Sequence, residues 1–173
     1  DFISVKDLLL EVNKDAIRFM MLNRSNDVEL DFDFDKILEK NKENPIFYVQ
    51  YCYARINSIF RTLNIESKDS FKIDKKNFFL NNYEVDLFKK IIDWPKVIKS
   101  ASEKLEPHKI PFYLYELATI FHSYWSKGND DTKYKFIENN KIKSKNTLLV
   151  IKLVAMTIEN GMNILGVNLP KKM

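Results

Sequence analysis

The amino-acid sequence predicts an all-α fold in which the helices form one bundle. Apolar residues recur at every third or fourth position through most of the chain, which is the spacing of one helix face. Only 3 of the 173 residues are glycine and 5 are proline, too few for a turn-rich all-β domain or a low-complexity chain. Pro45 follows an asparagine at the start of a patterned segment, where a helix tolerates proline best.

Composition narrows the class of protein. The chain is 45% hydrophobic and 30% charged, as expected for a globular domain with a core. Its net charge of +4 indicates a mild preference for anionic partners, weaker than a dedicated nucleic-acid-binding domain shows. The single cysteine, Cys52, excludes an internal disulfide framework and a cysteine-rich zinc site, and favours a reducing, cytoplasmic location. No uninterrupted apolar run approaches the roughly 20 residues that span a bilayer, so no membrane partner is expected.

The N-terminal segments predict short helices. Ser4 is expected to cap a helix over residues 5–12, and Asp15 to cap a second helix that ends near Leu22. Residues 23–31 are predicted to form a loop that leads into a helix capped near Asp33 or Asp35.

The central helix has the clearest signals. Asn44 and Pro45 predict its start, with proline at the first helical position, where its missing N–H has no intrahelical partner to lose. We expect the helix to run to about Leu63, because six residues at steps of three and four make one apolar stripe: Ile46, Val49, Tyr53, Ile56, Phe60 and Leu63. Residues 64–77 are polar and predict a long loop or an insertion.

The C-terminal half predicts three more helical segments. Asn82 is expected to cap a helix over 83–93, which Trp94-Pro95 interrupts before a continuation to residue 105. A second helix is expected over 112–126, followed by a polar stretch over 127–143 with a turn at 128–130. The last helix, 145–161, is apolar almost all round, so we expect it at the centre of the bundle, ended by Gly161 or Gly166.

The sequence shows no constellation typical of catalysis, and no catalytic residue is assigned. Its two histidines, His108 and His122, have no second ligand at metal spacing, so a hydrogen-bonded structural role is favoured for each. The acidic residues at 31, 33 and 35 lack the glycine and the final glutamate of a calcium loop.

The polar side of the central helix suits an unpaired nucleotide. At about 100° per residue, one face opposite the apolar stripe carries Tyr48, Tyr51, Arg55, Ser58 and Thr62. Tyrosine offers a plane on which a base can stack, and arginine can contact a phosphate or a base edge. Alternatively, the tyrosines pack on a neighbouring helix and Arg55 forms a salt bridge. The pattern alone favours packing and a salt bridge, and nucleotide binding stays open as the other interpretation.

A strip of hydrogen-bonding groups repeats this arrangement on the helix predicted over 112–126. Tyr115, Thr119, His122 and Ser126 lie beside the apolar side of that helix. A neutral His122 can read a base edge, or it can bond a backbone carbonyl of an adjacent helix. Periodicity therefore predicts a helical bundle that is compatible with binding single-stranded RNA, and both roles of His122 stay open.

The most specific short motifs of the sequence resemble those of one enzyme family. Residues 14–19 resemble the Asp-Ala-Leu-Arg signature after which an anticodon-binding domain of class I aminoacyl-tRNA synthetases is named. Residues 2–9 are similar to the segment that follows the ATP-binding loop of these enzymes. Two motifs in order are similar to those of arginyl-tRNA synthetases: Asn-Pro-x-x-Tyr-Val-Gln-Tyr at 44–51 and Phe-His-Ser-Tyr at 121–124. The C-terminal segment, residues 165–173, is similar to the same family.

The resemblance implies a C-terminal piece of an arginyl-tRNA synthetase, whose whole enzyme activates arginine with ATP and magnesium and transfers it to tRNA(Arg). It divides the chain into connector helices, residues 1–43, and a DALR-type anticodon-binding bundle, residues 44–173. The expected partners are tRNA(Arg) and the catalytic domain of the same chain. No cofactor is expected within these residues, and the protein is expected to be a cytoplasmic monomer.

The same resemblance singles out Tyr51, Arg55 and the terminal Met173 as tRNA contacts. We hypothesise that Tyr51 stacks on a splayed anticodon base while Arg55 holds a phosphate or a base edge. The remaining expected members of the site are Tyr48, Tyr115 and His122. Asp15 and Arg18 are expected to fasten their helix to the body of the enzyme rather than to touch RNA.

Two alternatives remain at this point. One is a helical protein-interaction module that uses its aromatic faces to bind a partner chain. The other is the matching domain of a cysteinyl- or methionyl-tRNA synthetase, because those enzymes carry related helices after their ATP loops.

Overall fold

A computed structural model describes residues 5–28, 34–66 and 78–173, and these residues confirm the all-α prediction. The helices are α1 (Val5–Glu11), α2 (Lys14–Leu22), α3 (Phe34–Leu38), α4 (Pro45–Thr62), α5 (Asn82–Ile92), α6 (Trp94–Glu103), α7 (Lys109–Asp130) and α8 (Lys145–Leu165). A 3-10 helix, Thr132–Tyr134, and a hairpin of β1 (Ile137–Glu138) and β2 (Lys141–Ile142) lie between α7 and α8. The expected cap at Ser4 and most of the loop predicted over 64–77 lie outside the described residues.

Helix α8 lies at the centre of the bundle, as its apolar sequence predicted. It packs against α4, α5 and α7, and 12 of its 21 residues are buried, Lys152 among them. By length and composition α8 is also apolar enough to cross a membrane. Its central position in the bundle explains the same composition, because a helix surrounded by other helices has little surface to keep polar.

Gly166, rather than Gly161, ends α8. Gly166 adopts a left-handed conformation with φ of 67°, which glycine reaches without steric penalty. Gly161 lies inside the helix, where an added Cβ would come within 2.9 Å of both methyl groups of Leu114. Glycine at 161 therefore permits close packing of α8 on α7.

The helix starts show which asparagines cap. Asn44 caps α4 as predicted, since its side chain accepts a hydrogen bond from the backbone N–H of Phe47. The other two predictions were wrong by one or two residues: Asn13, not Asp15, caps α2, and Asn81, not Asn82, caps α5. At α5 the side chain of Glu84 bonds back to the N–H of Asn81, and this reciprocal pair selects the earlier asparagine.

The predicted turn at 128–130 was wrong, because α7 continues through it to Asp130. Gly128 is buried against the 3-10 helix, with an added Cβ only 3.0 Å from the carbonyl oxygen of Tyr134. The chain reverses later, at Asn139 and Asn140, whose φ angles of 50° and 59° suit a tight hairpin turn. Ile137 then pairs with Ile142. We call residues 131–143 the hairpin lobe.

The N-terminal helices join the bundle through α2. Phe19 is completely buried in the main core, whereas Leu8, Val12, Ile17 and Ile37 form a small second core. Asp15 and Arg18 bind the C-terminal tail: Arg18 Nε donates to the carbonyl oxygen of Leu165 at 2.5 Å, and the side-chain amide of Asn168 donates to Asp15 at 2.9 Å. These two residues thus fasten α2 to the end of α8. The boundary between residues 1–43 and 44–173 stays a prediction.

Arg18→Ala should lower the free energy of unfolding by about 1 kcal/mol, because the carbonyl of Leu165 loses a charged donor at the end of α8. It should also speed the removal of the last residues by carboxypeptidase, since the tail loses one of its anchors. Arg24→Ala, at an exposed arginine just after α2, is the matched control. Equal rates of tail digestion in the two variants would contradict this role of Arg18.

Candidate nucleic-acid interface

Five of the six residues expected at the site lie together between α4 and α7. Tyr48 is at the centre, with its ring centroid 4.3 Å from that of His122 and 5.4 Å from that of Tyr115. The ring of Tyr51 lies 5.6 Å from that of His122. We call this group the aromatic–arginine cluster: Tyr48, Tyr51, Arg55, Tyr115 and His122.

Arg55 is held in place by uncharged neighbouring side chains. Its Nη2 donates to the hydroxyl oxygen of Tyr51 at 2.8 Å, and its Nη1 lies 3.2 Å from Nδ1 of His122. Its Cζ lies 4.2 Å from the ring centroid of Tyr51. In the part of the chain that the structure describes, Arg55 forms no ion pair with a carboxylate. The salt bridge of the alternative interpretation is therefore absent among these residues.

The protonation state of His122 follows from its two partners. A guanidinium group only donates, so Nδ1 accepts from Arg55 and the ring proton resides on Nε2. Nε2 then donates to the backbone carbonyl oxygen of Tyr48, 3.2 Å away. Burial lowers the pKa of His122 to about 4, with a further lowering by Arg55, while the bond to Tyr48 opposes the shift. The ring is therefore neutral at pH 7.

These contacts decide between the two open roles of His122. Only 5% of the residue is exposed, and both ring nitrogens already have partners within the fold. The bond to a backbone carbonyl is the one that the structure shows. His122 can orient Arg55 and Tyr48, but its own ring has no free polar edge for a base.

The tyrosines offer partly exposed ring surface. Tyr48, Tyr51 and Tyr115 are all half-buried, and the hydroxyl of Tyr115 donates to the carbonyl oxygen of Lys42 at 3.2 Å. Burial is the main cause that raises the pKa of Tyr48, so its hydroxyl stays protonated at neutral pH. The cluster therefore combines aromatic faces, hydroxyl groups and one cation.

Sequence reasoning missed Trp125 as a member of this surface. It is half-buried, and its ring centroid lies 5.1 Å from Cζ of Arg55. The available signal was its spacing of three residues from His122, which puts both on neighbouring positions of one helix face.

The C-terminal tail lies on another face of α4. Gln50 donates to the carbonyl oxygen of Asn168 at 2.9 Å, and Arg61 donates to that of Lys171 at 2.7 Å. At about 100° per residue, these two positions lie roughly a third of a turn away from Tyr51 and Arg55. Met173 is 56% exposed at the end of this tail. The expectation that Met173 contacts tRNA stays a prediction.

Among the residues described, no group of three or more His, Cys, Asp or Glu side chains is placed to hold a metal ion.

Comparisons with known proteins agree with the resemblance. Residues 49–173 match the family described as the DALR anticodon binding domain. The arginine–tRNA ligase of Pelagibacter ubique (strain HTCC1062) is 51% identical over all 173 residues, which cover 30% of the relative. That of Cereibacter sphaeroides (strain ATCC 17029) is 38% identical over 96% of this chain and 29% of its own length. The crystal structure of an arginyl-tRNA synthetase from Campylobacter jejuni matches 100% of this chain and 36% of that chain, with a TM-score of 0.81 at 28% identity.

The fold is a helical bundle with an aromatic and cationic surface, and its sequence and structural relatives are aminoacyl-tRNA synthetases. The chain belongs to the DALR anticodon-binding domain family, whose match covers most of its length. It spans about 30% of the length of the curated relatives that it matches. The names of these relatives favour the arginyl alternative over the cysteinyl and methionyl ones.

Proposed function

We propose that this chain recognises the anticodon stem-loop of tRNA(Arg) as part of an arginine–tRNA ligase. The observation that carries the proposal is the state of Arg55. Its guanidinium group lies close to the rings of Tyr51 and Trp125, and no described carboxylate neutralises it. A fixed cation beside aromatic rings suits unpaired, anionic nucleotides, which stack on aromatic side chains and bind cations through their phosphates.

Each member of the cluster has a role in this proposal. Tyr51 stacks on a splayed anticodon base, and Arg55 holds the neighbouring phosphate or a base edge. Tyr48 and Tyr115 line the adjoining surface with their half-buried rings. His122 is a positioning residue, because it contacts Arg55 and Tyr48 from inside the fold. Met173 extends the contact from the tail.

The rest of the enzyme supplies the chemistry. The relatives are about three times as long as this chain. In this proposal, arginine, ATP and magnesium bind to the part of the enzyme outside these residues. Residues 1–43 connect that part to the bundle, and the strongly exposed Leu9 and Leu10 of α1 suit a contact with the catalytic domain. The proposed enzyme is a cytoplasmic monomer.

Tyr51→Ala should weaken binding to an arginine anticodon stem-loop by about 1–3 kcal/mol, because one stacking plane is lost. The measurement is fluorescence anisotropy of a labelled stem-loop, with a scrambled loop as the specificity control. Tyr51→Phe keeps the plane and loses only the oxygen that accepts from Arg55, so its effect should be smaller. Phe79→Ala, at an exposed aromatic residue that is not a member of the cluster, should bind like the unchanged protein.

Salt dependence separates the proposal from a protein-interaction module. Binding that neutralises phosphates weakens as salt concentration rises, by about 0.7 in the logarithmic slope for each phosphate of a single strand. A folded protein that binds the arginine loop and the scrambled loop equally, or neither of them, would refute anticodon recognition by this chain.

A further inference from the structure

A cavity of about 260 Å³ lies beside the aromatic–arginine cluster, between α4, the end of α7 and the hairpin lobe. Trp125 joins the two, since it lines the cavity and its ring centroid also lies 5.1 Å from Cζ of Arg55. A ligand that occupies the cavity is therefore a direct neighbour of a ligand held by Arg55. The volume is below the roughly 300–1,000 Å³ of pockets for drug-sized ligands, so it suits one planar ring rather than a cofactor.

The walls of the cavity are apolar and aromatic. Ile59 comes from α4 and Trp125 from α7, while Phe136 and Ile137 come from the lobe. The rings of Trp125 and Phe136 meet edge to face, with an interplanar angle of 83° and centroids 5.6 Å apart. These contacts fix the orientation of both rings, so the wall is formed before a ligand arrives. A preformed aromatic wall is suited to a flat ligand that enters without rearranging it.

The rim of the cavity is polar and positive. Asn129 and Lys135 line it, and both are exposed. The amide of Asn129 can donate and accept hydrogen bonds, as the edge of a nucleobase requires. Lys135 takes part in no ion pair within the described segments, so its charge is available to a ligand.

The segment that forms one side of the cavity is positively charged. Residues 127–145 contain six lysines against three acidic residues, a net charge of +3. An apolar segment of a partner protein would gain nothing from such a rim, whereas a polyanion with flat apolar rings would gain from both the rim and the walls.

We infer that the cavity takes a second unpaired nucleobase of the same anticodon loop, next to the base at Tyr51, with the adjoining phosphate on Lys135. The inference rests on the proposed anticodon recognition. The two bases lie on either side of the Arg55–Trp125 contact, so Arg55 faces the backbone between them. The cavity thus adds a second position at which the loop is read.

An abasic scan of the loop tests the inference. Each loop nucleotide of the arginine stem-loop is replaced in turn by an abasic one, and binding is measured by anisotropy to the unchanged protein and to Trp125→Phe and Trp125→Ala. One abasic position should weaken binding to the unchanged protein about 5- to 100-fold. The same position should weaken binding to Trp125→Ala much less, because that variant already lacks the aromatic ring on which the base packs. Tyr51→Ala should couple to a different, neighbouring position. Trp125→Phe, which keeps an aromatic ring in the wall, should show a smaller form of the same coupling.

Lys135→Gln provides a second readout. It should reduce the slope of log K against log salt by about 0.7, the value for one phosphate of a single strand. Lys104→Gln is the matched control. Lys104 is exposed at the C-terminal end of α6, and the 22 residues of α7 separate it from the cavity by about 30 Å.

The outcomes distinguish the inference from the function on which it rests. Coupling of Trp125 to one loop position, with a reduced salt slope for Lys135→Gln, supports the cavity as a base site. Coupling of Tyr51 alone, with Trp125 variants that respond to every loop position like the unchanged protein, overturns the cavity and leaves anticodon recognition intact. Failure of the unchanged, folded protein to prefer the arginine loop overturns both.

Discussion

Glu84→Ala should lower the free energy of unfolding by about 3–5 kcal/mol, because it removes an acceptor shared by three helices in the interior. Glu84 is only 3% exposed. It accepts a hydrogen bond from the hydroxyl of Tyr124 on α7 at 3.0 Å and another from the hydroxyl of Thr147 on α8. Its second carboxylate oxygen accepts from the N–H of Asn81 at 2.9 Å. Burial raises the pKa of Tyr124, which keeps that hydroxyl a donor.

Two further variants show whether the lost stability is due to the carboxylate acceptor of Glu84. Glu84→Gln keeps the volume and one acceptor oxygen, so it should cost about 1–2 kcal/mol. Asp86→Ala removes an exposed carboxylate from the same helix and should change stability by less than about 0.5 kcal/mol. Urea unfolding followed by circular dichroism measures all three. A loss below about 1 kcal/mol for Glu84→Ala would mean that water replaces the carboxylate and that the network does not tie the helices together.

The sequence predicted α4 and its polar face well, because the signals are local. The Asn44–Pro45 start needs only neighbouring residues, and the period of 3.6 assigns each side chain to a face. The same periodicity could not show what lies opposite that face. The tyrosines do pack on a neighbouring helix, as the alternative interpretation held, yet within residues 5–28, 34–66 and 78–173 Arg55 forms none of the salt bridges that this interpretation required. Which residues bind a charged side chain depends on the tertiary structure, and helical periodicity does not determine it.

The region between α7 and α8 was predicted less well. Strands of two residues give no alternating pattern to detect, and the hairpin turn depends on two asparagines at positive φ rather than on glycine. Gly128 was interpreted as a turn signal, although it is a contact point for Tyr134 within a continuing helix. The cavity is formed by these same residues, so the sequence could not reveal it.

Acidification from pH 7 to pH 4 should remove about 3 kcal/mol of stability through His122 alone. Its pKa is lowered to about 4 by burial, against an ordinary value of 6.5. The unfolded chain therefore binds a proton more readily than the folded one below pH 6.5, and each unit of difference is worth about 1.4 kcal/mol. The stabilisation is complete above pH 6.5 and is lost as the pH falls towards 4.

The structural reason lies in the partners of the ring. Protonation would place a second donor at Nδ1, opposite the guanidinium group of Arg55, where an acceptor is now required. His122→Gln removes the titrating group, so its stability should fall less steeply between pH 6.5 and 4 when both proteins are unfolded in urea at several pH values. His108→Gln removes the other histidine and assigns the difference to position 122. Parallel pH profiles for the unchanged protein and His122→Gln would contradict the prediction. Because the same bond orients Arg55, binding of the anticodon stem-loop by the folded protein should weaken only as the pH approaches 4, where the folded ring takes up its proton.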